Sequence, residues 1–173
     1  GPTKAFIVGY ASHLFADELW ILDLYRPYFG NRHVFQDKIR GDLMDRALQL
    51  EMDRREQLIL GGLHTLHPLM SEAEEGVEVG FIAANTMLQW REWVEGALDS
   101  SFTWDRLRFM ARRVASRNDD GSIAQLNEIV EEFLESVPEG LDRIYQVIPP
   151  DRLDAFREKS IGHLIEFARG YLN

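Results

Sequence analysis

The chain has 173 residues, enough for one domain with its own core, and its 45% apolar and 28% charged residues are those of an ordinary globular protein. Nineteen basic against twenty-nine acidic residues give a net charge of -10, a surface that repels phosphate backbones, so no nucleic acid is expected as partner. The absence of cysteine excludes a disulfide framework and any thiolate-held zinc, leaving His, Asp and Glu as the donors for a metal.

Gly1-Pro2 carries no initiator Met and reads as the remnant of a cleaved tag, kept out of fold reasoning. A cytoplasmic location is the expectation, whatever precedes Thr3 in the native protein being unseen. No apolar run is expected to reach the roughly 20 residues of a membrane span.

Thr3 can cap a helix running to about Tyr25, where Pro27 stops it by removing a backbone donor. Phe6, Tyr10, His13, Asp17, Ile21 and Leu24 recur at steps of three and four and share one face. Ile7, Val8, Leu14, Phe15, Leu19 and Leu22 make the other faces apolar, which predicts a buried central helix. Polar groups at His13 and Asp17 would be costly there unless paired, protonated or bound to a cation.

Tyr28 to Gly41 reads as a polar loop, with His33 beside Arg32 and Asp37 a candidate ligand that no periodicity buries. Asp42 is then expected to cap an amphipathic helix with Leu43, Met44, Ala47, Leu48 and Leu50 inward. Asp45, Glu51, Asp53, Arg54 and Arg55 are expected outward. Gly61 to Gly80 has no clean period and reads as the most mobile region, a loop with short helical pieces. His64 and His67, three apart, are expected at its surface rather than on a shared cation.

Thr86 with Gln89 suggests a capping box for a third helix, and Thr103 a cap for a fourth. Arg106, Arg108, Arg112 and Arg113 form a basic strip on the fourth, expected to pair with the chain's own acidic residues rather than a phosphate. Asn118 to Gly121 reads as a turn, and Ser122 with Gln125 as a capping box for a helix that buries Ile123, Leu126, Ile129, Val130, Phe133 and Val137 and ends at Pro138. A short helical piece over Gly140 to Val147 precedes Pro149-Pro150 and a last helix. The expectation is an all-α fold, a single-domain helical bundle of about six helices around a buried first helix.

His13 and Asp17 lie one helical turn apart, about 5 to 6 Å between Cβ atoms, so an imidazole nitrogen and a carboxylate oxygen can meet on one cation. The same spacing equally describes a buried His-Asp hydrogen bond that ties the helix to its neighbours. His163, in line with Phe156, Ser160 and Phe167 and followed by Glu166, can complete a metal site, although a satisfied core histidine is the commoner outcome. Trp20, Trp90, Trp93 and Trp104 at helical spacing read as core. Ser12 next to His13 gives no nucleophilic pair, because adjacent helical residues point about 100° apart.

The run Gly9-Tyr10-Ala11-Ser12-His13-Leu14-Phe15-Ala16-Asp17-Glu18-Leu19-Trp20 resembles the Gly-Tyr-x-Ser-His-Leu-x-x-Asp-x-x-Trp block of bacterial zinc-dependent phospholipase C-like proteins. The likeness continues through Tyr25-Arg26-Pro27 and through Leu43 to Arg55, more loosely through Trp90 to Trp93, and covers about the first two thirds of the chain. It implies an all-helical metallohydrolase in which His and Asp hold zinc and a metal-bound hydroxide attacks a phosphodiester or phospholipid substrate. Only His13 and Asp17 fall on ligand positions of that family. Its N-terminal segment, with further His and Asp ligands and a Pro-Asp turn, has no counterpart in this sequence. If that segment is missing, the apolar surface made for it invites a second copy and a homodimer. The rival reading is a non-enzymatic protein-interaction or scaffold module in which the first helix is only the centre of a bundle.

Overall fold

The computed structural model describes residues 1–30, 34, 35, 37–115, 122–137 and 139–172, the side chains of 114, 115 and 122 excepted. Arg32, His33, the Asn118 to Gly121 turn, Pro138 and the Ser122 hydroxyl of the expected capping box lie outside the described residues. The elements in order are α1 (Pro2–Trp20), a π-helical continuation (Ile21–Phe29), α2 (Lys38–Ile59), a 3-10 turn (Leu63–Leu66), α3 (His67–Met70), α4 (Ala84–Leu98), α5 (Arg106–Ala115), α6 (Ser122–Glu135), α7 (Glu139–Val147) and α8 (Pro150–Leu172). The all-α expectation holds, with no strand and eight α-helices among the described residues.

The chain packs as two compact units, and neither is a continuous stretch of sequence. The first takes residues Gly1–Asp17, Glu56–Phe102 and Lys159–Asn173; the second takes Glu18–Arg55 and Thr103–Glu158.

The second unit holds most of the core. Leu43, Ala47 and Leu48 of α2, Leu107 of α5, Leu126 and Val130 of α6, Ile144 of α7 and Leu153 of α8 are all nearly or fully buried. Each side chain of this size gains about 1.5–3 kcal/mol by leaving water, so this cluster dominates the unit's stability. The five positions of α2 expected inward are indeed buried, and so are Leu126, Ile129, Val130 and Phe133 of α6, whereas Ile123 is exposed and Val137, beyond the end of the helix, is only half-buried. Arg108 of the basic strip is held by Glu131, with its Nη2 2.6 Å from Oε2, and by Asp105, in keeping with the expected internal pairing.

Two boundaries differ from the sequence expectation. Pro27 does not end the first helix: the chain continues as a π-helix to Phe29, and the Gly30 amide closes a five-residue turn on the Tyr25 carbonyl at 2.7 Å. A wider turn relieves the clash between the proline ring and the carbonyl four residues back, which forbids proline inside an α-helix. The second helix starts at Lys38 rather than after Asp42, because Asp37 Oδ1 accepts the Arg40 amide at 2.8 Å and acts as the cap. The expected Tyr28 to Gly41 loop therefore shrinks from both sides.

The first unit has a thinner core, with Val77 and Met87 buried. Phe15 of α1 meets Phe167 of α8 edge-on at 5.3 Å, and Lys4 lies over the Tyr171 ring at 5.9 Å, so the two helices run antiparallel there. Thr3 does not cap α1, which begins at Pro2; its hydroxyl accepts the Glu78 amide at 3.0 Å and ties the helix start to the segment between α3 and α4. The Gly61 to Gly80 region contains the expected short helical pieces, Leu63–Leu66 and His67–Met70, with Gly61, Gly62 and Gly76 in the left-handed region. Thr86 lies inside α4, whose cap residue is Ala83 with no side-chain bond, so the proposed capping box is absent there.

The buried first helix is not found. No residue of Pro2–Trp20 is buried, and burial begins only at Leu24 and Phe29 of the π segment. Positions 10, 13, 14, 17, 18, 21 and 22 form an exposed stripe, with Leu14 at 50% and Ile21 at 42%. An all-round apolar helix is buried only where neighbours cover every face, and α1 is covered on one side. Within the helix Pro2–Phe29 an 18-residue window reaches a mean hydropathy of 1.2, so this helix is long and apolar enough to cross a membrane by length and composition alone. Its last two turns bury Leu24 and Phe29 in the second unit.

Candidate metal half-site on the first helix

The helical repeat places His13 and Asp17 one above the other, and the structure brings their side chains together with Nε2 and Oδ2 3.5 Å apart. Both are open to solvent, at 70% and 61% side-chain exposure, which excludes the alternative of a buried His-Asp bond. Around a tetrahedral zinc with bonds of about 2.0–2.2 Å, two donors lie about 3.4 Å apart. The observed separation therefore fits one edge of such a tetrahedron.

The rest of the tetrahedron is not supplied. No group of three or more His, Asp or Glu side chains converges on a common point among the described residues. His163 and Glu166 are exposed on α8, so the expected core placement of His163 is corrected, and neither joins His13 and Asp17. Ser160, placed in line with His163 by period, is the residue that turns inward. His64 is exposed as expected, while His67 is half-buried with Nε2 2.8 Å from Asp99 Oδ1, an ion-pair geometry rather than a shared His64-His67 site. A zinc centre that activates water uses about three protein donors and an open position, and two donors fall short of that. The pair fits a cation, but no hydrolytic step can be assigned to these residues alone.

Sequence reasoning missed a polar network in the second unit. Asp45, expected on the solvent face of α2, is 3% exposed and accepts hydrogen bonds from Trp20 Nε1 at 2.7 Å and Gln49 Nε2 at 2.9 Å. Burial pushes its carboxyl up to about 6, against the pull of the Trp20 bond and Arg46. Beside it, the Tyr25 hydroxyl donates to Asp42 at 2.7 Å, and burial together with that bond raises the phenol to about 12. Glu51, also expected outward, is 2% exposed; burial opposes its charge, but bonds from Arg54 and Arg55 at 2.7 and 2.9 Å outweigh it and lower its pKa. Arg55 reaches on to the Tyr145 hydroxyl at 2.7 Å. A helix wheel sorts residues by polarity, and these carboxylates are buried because partners satisfy them.

Comparison with protein-family models, with curated proteins and with solved structures finds no match.

Proposed function

We propose that this chain holds a divalent cation, zinc by the nature of its donors, at a half-site formed by His13 and Asp17 on α1. Phosphodiester hydrolysis of the phospholipase C-like kind is then the activity of that site once further donors complete it. The observation that carries the reading is the solvent-facing pair with donor atoms 3.5 Å apart, the edge length of a zinc tetrahedron. The sequence block around the pair adds the choice of metal and reaction class. Water can fill the remaining positions, and so can a second copy of the chain, since two such pairs related by a two-fold axis make four donors.

The test is elemental analysis and calorimetric zinc titration of the wild type, His13→Ala and Asp17→Ala, together with mass measurement in solution. One zinc per chain lost in both variants supports a water-completed site; one zinc per two chains with a zinc-dependent doubling of mass supports the symmetric one. Zinc that fails to bind in excess, or that stays bound in both variants, ends the proposal. Turnover of an activated phosphodiester then tests the reaction separately.

A second reading rests on a different observation, the exposed apolar stripe of Tyr10, Leu14, Ile21 and Leu22 that flanks the pair. Under it α1 is the docking face of a non-enzymatic interaction module. Association through the stripe would persist in chelator and in the His13→Ala variant.

A further inference from the structure

We propose that the second unit binds a small monocarboxylate with an apolar tail, in a cavity walled by α2, α6 and α7. The cavity measures about 280 Å³, at the small end for ligand pockets, and a compact amphiphile of the fatty-acid or aryl-acid type suits it. Its floor is apolar: Met44, Ile129 and Phe133 are nearly fully buried, and Phe35 stacks on Phe29 at 5.3 Å. Gly140 closes one wall, where a Cβ would strike the Phe133 ring at 2.9 Å, so the tail meets smooth backbone there.

The polar lining, Arg40, Glu132, Ser136, Arg143 and Gln146, carries a net positive charge. Arg40 and Arg143 both line the cavity and both donate to one carboxylate, Glu132, with Arg40 Nη2 at 2.9 Å from Oε2 and Arg143 Nη1 at 3.3 Å from Oε1. Two guanidinium groups on one carboxylate leave one net positive charge beside an apolar hollow. Arg143 is 60% exposed and spends one of its five N–H donors on Glu132, so it can turn others to an incoming carboxylate in a forked pair. Local charge and overall charge together set the ligand class. The pair attracts one negative charge, while a chain of net -10 disfavours polyanions such as a nucleotide. This site shares no residue with the His13–Asp17 pair and does not depend on that reading.

Octanoate is the probe, with octanamide as its uncharged counterpart, followed through the methyl resonances of Val34, Met44, Ile129 and Val147. Saturable shifts at these methyls with octanoate are expected, at least tenfold weaker for octanamide and for Arg143→Gln, and abolished in Val147→Trp, which fills the hollow. Octanoate binding falls as salt rises if the arginines carry it. Equal affinity for octanoate and octanamide, or an unchanged affinity in Arg143→Gln, overturns the anion site. Absence of saturable shifts at these methyls overturns the proposal altogether.

Discussion

A single buried carboxyl supplies the sharpest test at the residue scale. Asp45 of α2 is almost fully buried, and burial pushes its carboxyl from the ordinary 3.8 up to about 6. The folded protein thus holds a proton that the unfolded chain releases, so the stability this group contributes is complete below about 3.8, declines as pH rises, and is gone above about 6. Asp45→Asn removes that titration. Relative to wild type, the variant should gain roughly 2 kcal/mol as pH rises from 4 to 7, read from urea unfolding at each pH. A constant difference between the two proteins across that range would mean Asp45 does not titrate in it. Leu48, three residues on and fully buried, gives the contrasting case: Leu48→Ala should cost about 2–5 kcal/mol at every pH, measured in the same way. The sequence period located Leu48 correctly because the apolar residues of α2 gather on one face, which packs inward. It misplaced Asp45 and Glu51 because nothing local records that Trp20, Gln49, Arg54 and Arg55 will satisfy them.

Among elements, the junction of the π segment with α2 decides the course of the chain. Gly41 on α2 lies so close to the Phe29 carbonyl that a Cβ would come within 2.7 Å of its oxygen, and backbone cannot move aside cheaply. Gly96 inside α4 has open space around it and pays only the helical cost of glycine. Two formally identical substitutions therefore carry opposite signs. Gly41→Ala should destabilise by about 1–3 kcal/mol, and Gly96→Ala should stabilise by about 0.5–1 kcal/mol, each read as a shift in thermal midpoint. Loss of stability in Gly96→Ala would show that α4 packs more closely at that point than its surroundings suggest. Helix existence was legible among the described residues, since the 3.6-residue period and Pro149-Pro150 are strong local signals. Helix ends were not, because Asp37 caps α2 while the Asp42 carboxylate is taken by Tyr25 and Lys38, and because Pro27 is absorbed by a π turn.

For the whole molecule, apolar composition proved a poor guide to what lies inside. The helix that looked most internal is the one with no buried residue over Pro2–Trp20, while the buried interior of the second unit is built from the plainer amphipathic pattern of α2 and α6. The His13–Asp17 pair was legible from spacing and resemblance, but its exposure was not, since coverage of α1 depends on segments distant in sequence. The cavity beside Arg40 and Arg143 left no trace in the sequence, because its walls come together from α2, α6 and α7 only on folding. Under the docking reading of α1, the exposed stripe of Tyr10, Leu14, Ile21 and Leu22 would draw copies together against the mutual repulsion of a net charge of -10. The balance shifts with salt, which screens the repulsion and leaves the apolar attraction. In chelator, the sedimentation coefficient of the wild type should therefore rise with protein concentration, and more steeply at high salt. Leu14→Gln with Ile21→Gln should abolish that rise while changing unfolding stability by no more than about 0.5 kcal/mol, since both side chains already face water. Wild type that stays monomeric at high salt would mean the stripe is too small to hold two copies without a metal. A double variant that loses several kcal/mol of stability would mean instead that the stripe is covered within the chain itself.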